Sequence, residues 1–165
     1  MKKGFTLIEL LVVVAIIGVL ASMVMSSLND ARVRARDAKR HADIKTIQNA
    51  LELYYLDNNH YPYFDWRHSS SETQWAEFEA ELGVTLPKDP VNTGRLTTSH
   101  ASDGLTYSYY GRYFGCHGEW YMLTYVLEGD AVVDSPGVNR CDSTSKFNYY
   151  GGYGAITVGM NNIEG

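Results

Sequence analysis

The chain has 165 residues, 14 Lys+Arg against 19 Asp+Glu for a formal net charge of −5, 45% hydrophobic residues and two cysteines. That length bounds it to one compact domain plus one added element, and the apolar content excludes a disordered chain. The acidic balance argues against a dedicated nucleic-acid binder, which needs a Lys/Arg surplus on some surface, and two cysteines exclude a disulfide-dense miniprotein.

The first predicted element is apolar. Residues 5–25 form a run of 21 whose only charge is Glu9, matching the length needed to cross a bilayer. Lys2 and Lys3 with the small residues before Ser22 resemble a secretory signal cut at that point. Glu9 opposes that reading, because a carboxylate in an apolar segment costs about 2.5–3.5 kcal/mol at the bilayer centre and an intramembrane acid is by default functional. Nor does the run end where a signal would. Leu28, Ala31, Ala35, Ala38 and Ala42 continue at spacings of three and four, and no Gly or Pro occurs between Gly18 and His60. The spacing predicts one helix over 5–58, about 80 Å long at about 1.5 Å per residue. Its first half is apolar all round. In its second half Ile44, Ile47, Leu51 and Tyr54 make a stripe that can seat a globular body.

Between them, residues 30–45 carry six basic residues (Arg32, Arg34, Arg36, Lys39, Arg40, Lys45) and three acids (Asp30, Asp37, Asp43), a local charge of +3. The simplest expectation is a solvated helix face with i,i+4 partners such as Asp30 and Arg34. Contact with anionic lipid or acidic neighbours is a second reading, and nucleic-acid capture a distant third.

Met1-Lys2-Lys3-Gly4 followed by Phe5-Thr6-Leu7-Ile8-Glu9-Leu10 resembles the leader and cleavage site of the type IV pilin family, which includes the pseudopilins of type II secretion. The likeness extends more loosely through Tyr54-Tyr55-Leu56-Asp57-Asn58-Asn59-His60-Tyr61-Pro62 and Leu86-Pro87-Lys88-Asp89-Pro90, about a third of the chain. It implies that a prepilin peptidase cuts after Gly4 and methylates the new amine of Phe5. It further implies an assembly ATPase and a platform protein, and polymerisation of this chain as a homo-oligomer into a helical filament. The carboxylate of Glu9 would pair with the Phe5 amine of a neighbour and so select one axial stagger. The departure from the pilin pattern is Ser26, which stands where many bacterial pilins have a helix-interrupting proline. The resemblance divides the chain into a leader 1–4, a membrane or filament-core half 5–25, an amphipathic half 26–58 and a body 59–165. The precursor would lie in the bacterial inner membrane, and the assembled subunit in an extracellular pilus or a periplasmic pseudopilus.

In the body, Tyr61-Pro62 breaks the helix and a polar stretch through Ser69-Ser70-Ser71 reads as loop. Ser71-Glu72-Thr73-Gln74 fits a capping box, with Trp75, Phe78 and Leu82 at helical spacing as core residues and Gly83 as the stop. Strands are predicted over 105–110, 120–127 and 131–134, the middle one buried, with a further strand-like run at 155–158 after a Tyr/Gly-rich segment at 149–154 that could cover the sheet edge. A small antiparallel sheet on the second half of the long helix makes the fold α+β, the arrangement that the type IV pilin resemblance also implies.

Cys116 and Cys141 enclose 24 residues. Beyond the membrane they can form a disulfide worth roughly 3 kcal/mol, or remain buried thiols. A C-terminal disulfide loop is common in type IV pilins and unusual in major pseudopilins, which tilts the expectation towards a pilus subunit. Enzymatic motifs are lacking: there is no HExxH, GxSxG or P-loop. No cofactor is expected. A calcium site is the one alternative, because major pseudopilins bind calcium and Asp89, Asn92, Asp103, Asp130 and Asp134 lie near turns, although EF-hand spacing is absent. The function expected first is therefore a type IV pilus subunit, then a type II secretion pseudopilin, then a secreted aromatic-rich binding module cut before Ser22.

Overall fold

The computed structural model describes residues 6–94, 104–112, 118–129, 137–139, 146–147 and 155–159. The first element is a single helix, α1 (Leu7–Asn58), of 52 residues, unbroken through Gly18 and Ser26. It stops where Asn59 adopts a left-handed conformation, φ 59°, and returns its N–H to the Tyr55 carbonyl at 2.8 Å. Asparagine tolerates that conformation at small cost, and Pro62 prevents a restart.

Two residues read as loop form a short strand, β1 (Arg67–His68). The next helix, α2 (Glu72–Leu82), has Ser71 at its N-cap and Gly83 at its end with φ 69°. Trp75 and Phe78 are buried on it as the spacing predicts, and Leu82 is partly buried. The expected capping box is not made: Ser71 gives no side-chain cap bond, and Gln74 Oε1 is buried with no partner among the described residues. Ser71 holds the first turn through its backbone carbonyl, which accepts the Trp75 N–H at 2.9 Å.

Strands β2 (Ser108–Tyr110), β3 (Met122–Val126), β4 (Val138–Asn139), β5 (Lys146–Phe147) and β6 (Ala155–Gly159) complete the fold. One antiparallel sheet runs in the order β1-β2-β3-β6, and β4 pairs with β5 in a separate ribbon. The register aligns Arg67, Tyr109, Leu123 and Val158 in one row across the four strands. Tyr109, Leu123, Tyr125 and Ile156 face α1 and close a core with Ile44, Ile47, Leu51, Trp75 and Phe78. The opposite face buries Tyr110, Trp120, Met122 and Val138, with Trp66 against them. The run 120–127 is apolar on both alternating faces because β3 is an interior strand buried on both sides. The strand expected at 131–134 and the Tyr/Gly segment 149–154 lie outside the described residues.

Candidate assembly surface

The body sits on the second half of α1 and leaves the first half bare. Every described side chain of residues 6–32 is exposed, and among the described residues none of the apolar window is buried. A bare surface of Leu, Ile and Val extending for more than 20 residues demands lipid or other helices around it. Among the described residues, α1 is the one helix long and apolar enough to cross a membrane.

Glu9 is the third residue of that helix. Its Oε2 accepts the Thr6 N–H at 2.8 Å and the Thr6 hydroxyl at 2.7 Å, and the Glu9 N–H donates back to Thr6 Oγ1 at 3.3 Å. This reciprocal cap places the carboxylate at the positive end of the helix dipole. Both Thr6 bonds fall on one oxygen. Oε1 accepts nothing among the described residues. Gly4 and Phe5, the expected processing site, lie outside the described residues, as do Cys116 and Cys141.

The joint between helix and body is ionic. Arg40 is wholly buried and reaches three carboxylates: Asp89 through Nε at 2.7 Å and Nη2 at 3.1 Å, Asp37 through Nη1 at 2.7 Å, and Glu128 through Nη2 at 2.6 Å. Arg36 grips the same Glu128 with two bonds, at 2.7 and 2.5 Å. Asp37 also accepts the N–H groups of Glu128 and Gly129, both at 2.9 Å, while Asp43 takes Lys39 at 2.8 Å and the Tyr107 hydroxyl at 2.9 Å. Burial alone would lower the Arg40 pKa, but its three carboxylates outweigh it and raise it, so the guanidinium stays charged. Burial likewise opposes ionisation of Asp37, yet the two N–H donors and Arg40 hold its pKa below the ordinary value; the Arg36 fork does the same for Glu128. A buried charge with three partners fixes orientation more than it adds stability. The body is thus locked at one angle to a helix whose other half must pack elsewhere.

The basic stretch is therefore not a uniformly solvated face. Arg36, Lys39 and Arg40 are paired, and the expected Asp30–Arg34 pair is not made. Arg32, Arg34 and Lys45 are exposed, with no carboxylate partner among the described residues. Asp89, a candidate calcium ligand, has its Oδ1 shared by Arg40 and the N–H groups of Val91 and Asn92, and its Oδ2 bound to Arg40. The Asn92 side chain bonds Ser69 instead. Asp103, Asp130 and Asp134 lie outside the described residues. No three metal-ligating side chains gather among the described residues.

Residues 1–25 match the prokaryotic N-terminal methylation motif, and residues 24–107, half of the chain, match type II secretion system protein G. Among similar curated proteins, the type II secretion system core protein G of Escherichia coli K12 is 49% identical over 61 residues, covering 37% of this chain and 42% of that protein. Core protein G of Aeromonas hydrophila is 46% identical over 61 residues, 37% of this chain and 43% of that protein. That of Vibrio cholerae is 47% identical over 64 residues, 39% of this chain and 44% of the relative. The similarity thus spans about two fifths of the length of the curated relatives. No solved structure matches the chain.

Proposed function

The chain belongs to the type II secretion system protein G family, and on that membership and the geometry above we propose that it is a pseudopilin, a structural subunit of a periplasmic filament that drives protein export. The observation that carries this reading is the continuity of the two matches along one helix: a methylation motif on the bare apolar half, joined without a break to the protein G region that bears the body. The same matches favour export over the surface pilus that the cysteine pair suggested, and processing after Gly4 over release before Ser22, which lies inside α1 with its hydroxyl bonded to the Val19 carbonyl at 2.8 Å.

In this account the precursor rests in the inner membrane with its body outside, and a prepilin peptidase removes the leader and methylates Phe5. Extraction from lipid into a helix bundle exchanges one apolar environment for another, so hydrophobic burial supplies little net drive and packing must supply specificity. Glu9 provides the register. Its Thr6 cap satisfies one oxygen and leaves Oε1 open for the cationic amine of a neighbouring Phe5. An unmatched stagger would leave that carboxylate unpaired in an apolar core at a cost of several kcal/mol.

The test is deletion of the gene in its own host. Exported enzymes then accumulate in the periplasm while surface fibres are unaffected, and re-expression restores export. Loss of surface fibres with export intact would assign the chain to a pilus instead.

A further inference from the structure

Between the upper half of α1 and the end of α2 runs an open groove of about 640 Å³. Ala50 and Leu53 form one wall, Leu82 and Val84 the other. Leu53 remains 63% exposed and Val84 44%. The walls are tied by the Tyr54 hydroxyl, which donates to Glu81 Oε1 at 2.6 Å. The charged residues lining the groove are Asp57 and Glu81, both acids, with no Lys or Arg among them. An apolar trough with an acidic rim fits a rod that is small or apolar along one line and cationic at its borders.

This chain carries such a rod. At about 100° per residue, Leu28, Ala31, Ala35, Ala38 and Ala42 fall on the side of α1 opposite Arg40, Ile44 and Ile47, and all five are exposed. The small side chains of the four alanines permit close approach of another backbone. Arg32 and Arg34 fall on the two borders of that stripe, exposed and lacking an acidic partner among the described residues. Segment 28–42 cannot enter its own groove, because both belong to one continuous helix.

We infer that the groove receives segment 28–42 of a second copy of this chain in the polymer, with Arg32 and Arg34 of that copy facing Asp57 and Glu81. The inference rests on the pseudopilin reading and adds to it the surface by which one body engages another subunit's helix. Ala35 and Leu53 lie 18 positions apart, so two parallel copies joined in this way are offset along the filament by about 27 Å at about 1.5 Å per residue.

The experiment replaces Leu53 with p-benzoylphenylalanine in the full chain, produced with its own assembly machinery, and maps photo-crosslinks in isolated polymers by mass spectrometry. A second variant carries the probe at Val84, in case the first does not polymerise. Crosslinks to residues 28–42 of another copy are expected. Arg32→Glu with Arg34→Glu should lower their yield several-fold, and adding Asp57→Arg should restore part of it. Normal polymers whose crosslinks go only to other bodies, or that give none, overturn this occupant and leave polymerisation standing. A wild-type chain that forms no polymer overturns both.

Discussion

Arg40 and Asp89 are buried against one another, Nε to Oδ2 at 2.7 Å and Nη2 to Oδ1 at 3.1 Å, a two-pronged pair between residues 49 positions apart. It ties the middle of α1 to the loop after α2, and Glu128 extends the tie to the end of β3. Arg40→Ala removes one partner and leaves Asp89 buried and uncompensated, so a loss of roughly 3–5 kcal/mol is expected. Arg40→Lys keeps the charge without the fork and should fall between. Thermal unfolding of the full chain in detergent micelles measures both.

Acid should loosen the same joint. Asp37 and Glu128 have pKa values below their ordinary ones in the folded state. Their contribution is therefore complete above the unfolded carboxylate range, near about 4, and is lost as pH falls through the folded values. The unfolding temperature should be flat from neutral pH to about 5 and drop below about 4. Asp37→Asn should flatten part of that drop, and an unchanged acid limb in that variant would remove Asp37 from the explanation.

Alkali should act through the tyrosines. Burial, with Glu81 adding to it, pushes the Tyr54 hydroxyl up to about 12, and burial pushes Tyr125 up to about 12. Burial also raises Tyr61, Tyr107, Tyr109 and Tyr121 well above the ordinary value, with Glu52 adding to Tyr61 and Asp43 to Tyr107. For a group whose pKa is raised on folding, stability is complete below the unfolded value, about 10, and is lost as pH rises beyond it. The phenolate absorbance of these six tyrosines should appear together with loss of circular dichroism. Titration of all 13 tyrosines near 10 with the fold intact would contradict the burial described.

Phe78 lies between Trp75 and Tyr109, at ring separations of 5.4 and 4.4 Å. Phe78→Ala opens a cavity where α2 meets the sheet and should cost about 3–5 kcal/mol in denaturant unfolding.

The long helix was legible because nothing in residues 19–59 breaks it, and the core stripe because Ile44, Ile47 and Leu51 repeat at helical spacing. The joint was not. Stepping back four residues from Ile44 reaches Arg40, so the stripe did continue, but a cation at that position reads as solvated unless its partners are known. Those partners, Asp89 and Glu128, are supplied by tertiary structure 49 and 88 positions away. β1 is not legible in the sequence for a similar reason: two residues have no period, and their pairing with Tyr109 and Ser108 creates the strand. The capping box at Ser71 failed in the opposite direction, a good local motif that the folded chain does not use. The reciprocal cap of Thr6 and Glu9 is a finding that the sequence reading does not contain, although its signal is local: the two residues stand three apart and need no tertiary partner.

Glu9→Ala should leave the body's unfolding unchanged, since the described side chains of the helix half that carries it are all exposed. It should nonetheless abolish incorporation into polymer. Thr6→Ala removes only the cap hydroxyl and should reduce assembly less. Sheared-polymer yield against membrane-retained protein separates the two.

The most direct measurement is the intact mass and N-terminal sequence of subunits taken from native polymers. The account predicts a chain that begins at Phe5 with a methylated amine and retains Glu9. Polymers built from chains that still begin at Met1, or from chains that begin at Ser22, would contradict it.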